Sequence, residues 1–231
     1  MSGLRTQELA ANLQALEKRV VSACVAAGRR REDISIVAVT KTFPLADVEA
    51  LASLGVREFG ENRDAEAKAK AESRPDLRWH FVGRLQRNKC RSVATYADVV
   101  HSIDRVEVAE ALERGAERAD RQIEVMVQVS FDGDSARGGA QPADVAAVVD
   151  ACAAARHLRL SGVMAIAPLG LPPDPAFGRL AEIAAEVRAT HPQAGAISAG
   201  MSGDLEAAVR YGATHLRLGT ALLGHRTPKP G

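Results

Sequence analysis

Eight short apolar segments, separated by stretches of helical character, place the strongest constraint on the fold of this 231-residue chain. The first segment, residues 34–40, is almost wholly apolar and rich in β-branched residues, as expected of a parallel strand covered on both faces. The predicted strands span residues 34–40, 56–59, 79–82, 99–103, 123–129, 158–164, 196–199 and 215–218. Eight strands that alternate with helices predict an α/β protein, a (β/α)8 barrel of the TIM type.

Helical segments fill the intervals between these strands, and an extra helix over residues 4–28 precedes them, because apolar residues recur there at steps of three and four. The later predicted helices span residues 45–54, 61–72, 87–96, 106–119, 142–155, 176–190 and 204–211. An open doubly wound sheet is the alternative, although no GxGxxG motif follows the first strand. We expect a single barrel domain over residues 1–231 with a frayed tail at 225–231.

Composition excludes several classes of function. The formal net charge is +1 and only 3% of the residues are aromatic, whereas nucleic-acid-binding proteins commonly carry a basic excess. No apolar run approaches the ~20 residues that span a membrane, and the first residues lack the apolar core of a signal peptide. We therefore expect a cytoplasmic protein that binds neither nucleic acid nor a membrane.

Cysteine and histidine residues give no indication of a metal site. The three cysteines have neither CxxC nor zinc-ligand spacing, which indicates reduced thiols. His80 and His101 lie inside predicted strands, where packed and hydrogen-bonded side chains are more common than catalytic ones. We expect no metal.

Lys41 is the single lysine, of six, that ends an apolar strand. The period-two alternation of a strand places it on the same face as Val37 and Val39, which points into the lumen if that face is the inner one. An apolar mouth favours the neutral amine, the form that attacks a carbonyl carbon. The pattern fits a Schiff-base lysine and, equally, a strand-end lysine that extends to water.

Two segments with glycine follow the last two predicted strands. In the first, Gly-Met-Ser-Gly-Asp at 200–204, Ser202 is a natural N-cap whose helix would offer N–H groups to an anion. In the second, Gly219 permits close backbone approach and Thr220 offers a hydroxyl. Phosphate sites of (β/α)8 barrels often form from these two loops. A phosphate pocket and an aldehyde-seeking amine together meet the requirement for pyridoxal 5′-phosphate, whose ring nitrogen Arg217 could face.

Seven segments resemble one known family in order along the chain. They are VAVTKTFP (37–44), FGENR (59–63), WHFVGRLQRNK (79–89), HSIDR (101–105), LSGVMAI (160–166), GMSGDLEAAVRYGAT (200–214) and LRLGTALLG (216–224). Over about residues 5–226 the chain resembles the pyridoxal phosphate homeostasis protein family, which is similar in fold to the N-terminal barrel of alanine racemase.

The resemblance implies a set of cofactor-binding positions. They are Lys41, Asn62, Met164, Ser202, Gly203, Arg217, Gly219 and Thr220. Lys41 matches the lysine that forms the internal aldimine, and Arg217 matches the arginine that faces the pyridine nitrogen. An arginine there keeps that nitrogen unprotonated and weakens the ring as an electron sink. Asn62 matches an asparagine beside the cofactor, and Met164 matches the methionine of the sixth strand.

The sequence departs from the family pattern at two places. Arg63 stands where the family usually has tyrosine, and the loop after the fifth strand lacks the lysine that many members carry. Arg137 is the nearest counterpart of that lysine. It cannot form an aldimine, although its charge could attract a phosphate group. The sequence therefore gives no support to a second cofactor-holding site in this loop.

The absence of a second acid or base favours a holder over an enzyme. Carbanion chemistry on the cofactor needs such a group, and alanine racemase-like enzymes take a tyrosine from a partner subunit and carry an additional β domain. This sequence ends soon after its last family motif, and Tyr96 and Tyr211 fall in predicted helices. The resemblance thus implies a non-enzymatic protein of vitamin B6 homeostasis that holds pyridoxal phosphate and delivers it.

Partners and alternatives follow from the same pattern. PLP-dependent apoenzymes are the expected transient partners, and a monomer or weak dimer the expected state. The alternatives are a fold-type III PLP-dependent amino-acid racemase and a lysine Schiff-base aldolase that acts on a sugar phosphate.

Overall fold

Eight parallel strands close into a barrel in the computed structural model, which describes residues 2–133 and 137–224. Each strand pairs with the next along the chain, and β8 pairs back onto β1 with Val37 opposite Arg217. The strands are β1 Ser35–Val39, β2 Glu58–Glu61, β3 Arg78–Phe81, β4 Val99–Ile103, β5 Ile123–Val129, β6 Leu158–Ala165, β7 Ala196–Ser198 and β8 His215–Leu218. Closure confirms the predicted (β/α)8 barrel and excludes the open doubly wound sheet.

Helices surround the barrel in the order that the sequence predicts. Among the described residues they are α1 Ser2–Ala26, α2 Leu45–Ser53, α3 Asp64–Ser73, α4 Cys90–Val93, α5 Val106–Ala119, α6 Val145–Ala154, α7 Asp174–Thr190, α8 Leu205–Arg210 and α9 Thr220–Leu223. Short 3-10 turns span Arg31–Asp33, Arg87–Lys89 and Pro142–Asp144. The sequence does not predict α9, and the predicted frayed tail at 225–231 lies outside the described residues.

The first helix fills a place in the outer ring of helices. α9 follows β8 but has only four residues, and α1 packs against α2, α8 and α9. Leu9, Leu16 and Val20 on its inner face are buried. Asn12 donates its side-chain N–H to the Leu222 carbonyl at 3.0 Å, which fixes α1 onto α9. The helix predicted as an addition thus closes the ring between α8 and α2.

Element boundaries differ from the predicted ones where local hydrogen bonds intervene. β2 begins at Glu58 instead of residue 56 because the Val56 N–H donates to the Leu51 carbonyl at 3.1 Å, in the turn after α2. α3 begins at Asp64 instead of residue 61 because Glu61 still pairs with Phe81 in the sheet.

The three cysteines belong to the hydrophobic core. Cys24, Cys90 and Cys152 are buried and form no disulfide, as the sequence predicts. Removal from water raises the pKa of the Cys90 thiol to about 11 and that of Cys152 to about 12.

Membrane and metal features are both missing from the described part of the chain. Its helices are too short or too polar to cross a membrane. Within the same residues, no three His, Cys, Asp or Glu side chains come together in a way that could hold a metal ion.

Leu16→Ala tests the packing of α1. Leu16 is 2% exposed, so truncation leaves a cavity and should lower the free energy of unfolding by about 2–5 kcal/mol. Leu4, on the same helix, is 77% exposed, and Leu4→Ala is the matched control with little expected change. Urea unfolding measures both variants. Equal small losses would show that α1 is not part of the cooperative fold.

Candidate functional site

A cavity of about 330 Å³ opens at the carboxyl ends of the strands, where β1 and β8 meet. Its walls come from strand ends and from the loops that follow β1, β2, β3, β6, β7 and β8. The lining residues are Val39, Lys41, Asn62, Val82, Ile166, Met201, Ser202, Gly203, Arg217, Gly219 and Thr220. Active sites of (β/α)8 barrels are built at this end of the barrel.

The structure brings seven of the eight sequence-predicted site residues to this cavity; Met164 is the exception. Met164 is fully buried and packs against Val99 and Met126 in the barrel interior. Ile166 lies two residues further along the chain on the same strand face, and it lines the cavity instead. The sixth strand thus reaches the cavity wall through Ile166, and the cofactor contact predicted for Met164 stays a prediction.

Lys41 lies two residues beyond the end of β1 and is exposed, with Val39 on the same wall as the alternation predicts. The next residue, Thr42, has φ +68°, which is unusual for a β-branched side chain and costs about 1–3 kcal/mol. Its N–H donates to Glu66 Oε1 at 2.5 Å. A carboxylate of α3 therefore holds the strained turn beside the lysine.

A buried ion cluster supports the same turn from below. The Lys70 ammonium donates to Glu61 Oε1 at 2.6 Å, to Glu66 Oε1 at 3.2 Å and to the Thr40 carbonyl at 2.9 Å. Thr40 Oγ1 donates to Glu61 Oε1 at 2.7 Å. Desolvation nevertheless raises the pKa of Glu61 above its ordinary value. The backbone before Lys41 is thus anchored by the buried Lys70 and Glu61, and the backbone after it by the partly buried Glu66.

Arg217 carries a second positive charge into the cavity, from inside the barrel. The residue is buried, with one guanidinium N–H donating to Ser198 Oγ at 2.6 Å and another to the Ala165 carbonyl at 2.8 Å. Desolvation lowers its pKa to about 10, so the guanidinium stays protonated at neutral pH. This cation has a fixed position, whereas Lys41 extends from the rim.

Histidines continue the polar contacts of Arg217 across the barrel. Ser198 Oγ lies 2.8 Å from His101 Nδ1, and His101 Nε2 lies 2.8 Å from His80 Nδ1. His80 Nε2 is 2.6 Å from Glu58 Oε2, at a hydrogen-bond distance but without ideal ring geometry. Burial holds the pKa of His101 well below its ordinary value and lowers that of His215 to about 4. The predicted packed, hydrogen-bonded role of His80 and His101 is confirmed.

Ser202 has a different local role from the predicted N-cap. α8 begins at Leu205, with Asp204 at the capping position, and Asp204 Oδ1 accepts the Met201 N–H at 2.5 Å. Ser202 Oγ instead accepts the Ala221 N–H at 2.9 Å and so ties together the loops after β7 and β8. Ser202 is not the cap because the turn at 201–204 delays the start of the helix.

The loop after β8 approaches β1 closely. A Cβ added at Gly219 would lie 3.3 Å from the Val39 carbonyl oxygen, tighter than most such contacts, so glycine suits this position. A Cβ added at Gly203 would meet nothing within 4 Å, so space is open beside that residue. Backbone groups and the Thr220 hydroxyl therefore border open volume at one end of the cavity.

The two arginines at which the sequence departs from the family pattern lie off the cavity wall. Arg63 is exposed at the start of α3. Arg137 pairs with Asp132 and donates to the Ala167 carbonyl at 3.2 Å, so it joins the loops after β5 and β6. Its position gives no support to a phosphate contact in this cavity.

Neither tyrosine lines the cavity. Tyr96 is buried just after α4, and desolvation raises its pKa far above the ordinary value. Tyr211 follows α8 and packs on the hydrophobic core from outside the barrel.

Glu61, Lys70 and Ser198 are the supporting residues that sequence reasoning misses. The available signal is a carboxylate at the end of the apolar β2 strand and a Glu-to-Lys spacing of four in α3. That spacing is typical of exposed helix faces, and Lys70 is buried only because α3 packs beside β1 and β2.

Comparison with known proteins agrees with this geometry. A family model described as the alanine racemase N-terminal domain matches residues 5–227. A pyridoxal phosphate homeostasis protein of Mycobacterium leprae (strain TN) is 40% identical, with 97% of this chain and 95% of the relative covered. The relative of that name in Pseudomonas aeruginosa is 37% identical, with 94% and 96% covered.

Solved structures give the same result. PipY of Synechococcus elongatus PCC7942 with PLP bound has a TM-score of 0.81 and 34% identity, with 94% of this chain and 100% of that chain covered. Alanine racemase of Streptomyces coelicolor A3(2) has a TM-score of 0.75 at 18% identity, a likeness of fold alone, and the match covers 59% of that enzyme.

The closed barrel with a lysine and an arginine at its carboxyl end, together with these matches, shows that the chain belongs to the alanine racemase N-terminal domain family. Within that family, relatives that match it over nearly their whole length carry the name pyridoxal phosphate homeostasis protein. The resemblance seen in the sequence is confirmed.

Lys70→Met tests the buried cluster. Loss of the ammonium leaves the Glu61 carboxylate without its cation, and we expect the free energy of unfolding to fall by about 3–5 kcal/mol near neutral pH. Burial raises the pKa of the Glu61 carboxyl, and a carboxyl with a raised pKa destabilises the fold above that pKa. The deficit should therefore shrink as the pH falls through the acidic range in which this carboxyl takes up a proton. Urea unfolding at several pH values gives both quantities.

Lys68→Met is the control on the same helix. The Lys68 side chain is 44% exposed, and its only ion pair in the described residues is a 3.8 Å contact with Glu72, so little change is expected. A Lys70→Met deficit that is small, or that grows as pH falls, would contradict the assigned role of the cluster.

Proposed function

We propose that this protein binds pyridoxal 5′-phosphate in the cavity at the carboxyl end of the barrel, and holds and delivers it as a non-catalytic member of vitamin B6 homeostasis. The observation that carries the proposal is the placement of Lys41 and the buried Arg217 on adjacent strands of one cavity. The relatives named for pyridoxal phosphate homeostasis and the PLP-bound PipY structure support it.

The residues present fit this cofactor. The cavity, at about 330 Å³, is within the range of small-molecule sites, roughly 300–1,000 Å³. Its phosphate end would be held by the loops at 202–203 and 219–220, where backbone groups and the Thr220 hydroxyl border open space. Asn62 would lie beside the ring, since it lines the wall between Lys41 and Val82.

Lys41 and Arg217 would have different tasks. When bound, pyridoxal phosphate supplies an aldehyde that amines can bond and a ring that can withdraw electrons. Lys41 extends its amine from the rim and would hold the aldehyde carbon. Arg217 is fixed by Ser198 and the Ala165 carbonyl, and its cation would disfavour protonation of a facing pyridine nitrogen.

A holding role, without robust turnover, agrees with the side chains on the wall. Lys41 and Arg217 are the ionisable side chains that line the cavity in the described part of the chain. Proton transfer to and from a substrate carbon on both faces needs a further acid or base. Tyr96 and Tyr211 lie elsewhere, so among residues 2–133 and 137–224 no such partner for Lys41 lines the cavity.

Delivery requires that the cofactor can leave, and Lys41 is exposed at an open mouth. Transient partners would be PLP-dependent apoenzymes, with this chain acting as a monomer or weak dimer. Its three unpaired, buried cysteines fit a reducing compartment such as the cytoplasm.

Lys41→Ala tests the covalent hold. Borohydride reduction of the cofactor-loaded protein should fix pyridoxal phosphate to Lys41, and the variant should lose both the attachment and the long-wavelength absorbance of the bound cofactor. Lys89→Ala is the control, since Lys89 is on the outer surface and pairs with Asp64. Mass spectrometry of the reduced peptides locates the modification. Retention of full labelling in Lys41→Ala would overturn the assignment.

Ser202→Asp and Ser202→Asn form a matched pair that tests the phosphate end. Both side chains can accept the Ala221 N–H, but only aspartate adds a negative charge opposite the phosphate. We expect Ser202→Asp to weaken cofactor retention by about tenfold or more, which corresponds to ~1.4 kcal/mol, relative to Ser202→Asn. Equilibrium dialysis measures retention. Equal retention by the two variants would place the phosphate elsewhere.

A further inference from the structure

A second concave surface, on the outside of the barrel, is built mostly from arginine. It lies between α5 and the segment formed by the 3-10 turn Arg87–Lys89 and α4, with a volume of about 630 Å³. We call it the α4–α5 groove. Its arginines are Arg87, Arg91, Arg105, Arg114 and Arg118, and Gln86 and Asn88 add amides.

Several arginines of this groove lie close enough along the chain to repel one another. Arg87 and Arg91 are four residues apart, as are Arg114 and Arg118 on α5, and like charges at this spacing destabilise a helix. Arg105 pairs with its neighbour Asp104, whereas Arg114 has only a 3.8 Å contact with Glu110.

Three of the arginines have no partner within the part of the chain that the structure describes. Across residues 2–133 and 137–224, the side chains of Arg87, Arg91 and Arg118 form no ion pair or hydrogen bond with another residue. All three are exposed. Such a cluster leaves a local positive field on a chain whose formal net charge is only +1.

The floor of the groove is closed by small residues. A Cβ added at Gly115 would lie 3.0 Å from the Cys90 carbonyl oxygen and 3.1 Å from the Ala94 Cβ, so α5 rests directly on α4. Ala111 continues this floor along α5. A shallow trough with cationic walls admits one extended chain or flexible segment more readily than a broad duplex.

Two family-like motifs meet in the groove without serving the cofactor cavity. The segment at 79–89 supplies Gln86, Arg87 and Asn88, and the segment at 101–105 supplies Arg105. None of these four residues lines the cofactor cavity, although Val82 of the first segment does. The loop after β3 therefore runs from the cavity wall to the groove.

We propose that the α4–α5 groove docks an acidic segment of a partner protein. Guanidinium groups pair with carboxylates bidentately, and the amides of Gln86 and Asn88 can bond a main chain. The groove lining contains no aromatic side chain on which nucleic-acid bases could stack, which favours a polypeptide over single-stranded RNA. That the partner is a cofactor recipient rests on the proposed function; the docking itself does not.

Fluorescence anisotropy with a labelled twelve-residue peptide of glutamate and glycine tests the docking. Arg91→Gln/Arg118→Gln removes two groove charges, and Arg156→Gln/Arg188→Gln removes two exposed charges elsewhere. We expect the groove variant to bind the peptide about tenfold more weakly and the control variant to stay within about twofold of the parent chain. Urea midpoints check that both variants fold.

Competing outcomes are separated by the same titrations. Equal losses in both variants would mean a general charge effect and overturn the proposal. Tighter binding of a charge-matched RNA oligonucleotide, lost only in the groove variant, would assign the groove to nucleic acid instead. Displacement of the peptide by inorganic phosphate at a concentration far below that of the buffer salt would assign it to a small anion.

Cofactor retention measured on the same variants keeps the two proposals distinguishable. The groove variant should retain pyridoxal phosphate as the parent chain does, because none of its changed residues lines the cofactor cavity. Failure of the parent chain to retain the cofactor would overturn the proposed function and leave the peptide result standing. Loss of cofactor in the groove variant alone would contradict the separation of the two surfaces.

Discussion

Arg217 is a guanidinium inside the barrel, so each of its N–H groups that water cannot reach needs a hydrogen-bond acceptor. This requirement influences which polar residues occupy the interior. The partners of Arg217 come from β6 and β7, so three neighbouring strands are locked at the height of the cavity. The hydroxyl of Ser198 then needs its own partner, which His101 provides. The run of polar residues from Ser198 through His101 and His80 to the partly buried Glu58 follows, because each polar group needs a hydrogen-bond partner of its own.

The two cations of the cavity are stabilised in opposite ways. Arg217 is immobile because its N–H groups have protein acceptors, and its charge survives burial with a pKa of about 10. Lys41 has an exposed side chain on an anchored backbone, since Glu66 and Lys70 form hydrogen bonds to the residues that flank it. This arrangement suits a protein that holds an aldehyde cofactor, because the Lys41 amine can reach the aldehyde carbon while the Arg217 cation stays in a fixed position near the ring.

Sequence reasoning predicts the barrel and most of the site because both depend on short-range patterns. Strand alternation places Lys41, and the loops after the last two strands place Ser202 and Thr220. It finds neither Ile166 on the cavity wall nor Asp204 at the cap of α8. The reason is that the side chain a strand presents at its end and the turn at 201–204 both depend on packing. It misses Lys70 because a charged helix residue looks exposed until its neighbours are known.

The position of α1 has a consequence for how the fold is assembled. Its contacts with α2 join neighbouring parts of the chain, but its contacts with α8 and α9 join segments about 200 residues apart. Arg19 of α1 donates to the Ser202 carbonyl, and α9 begins at Thr220. The packing of α1 against α8 and α9, which closes the ring of helices, therefore also brings the two loops of the cavity into place. The binding site is complete only when the most distant contacts of the chain have formed.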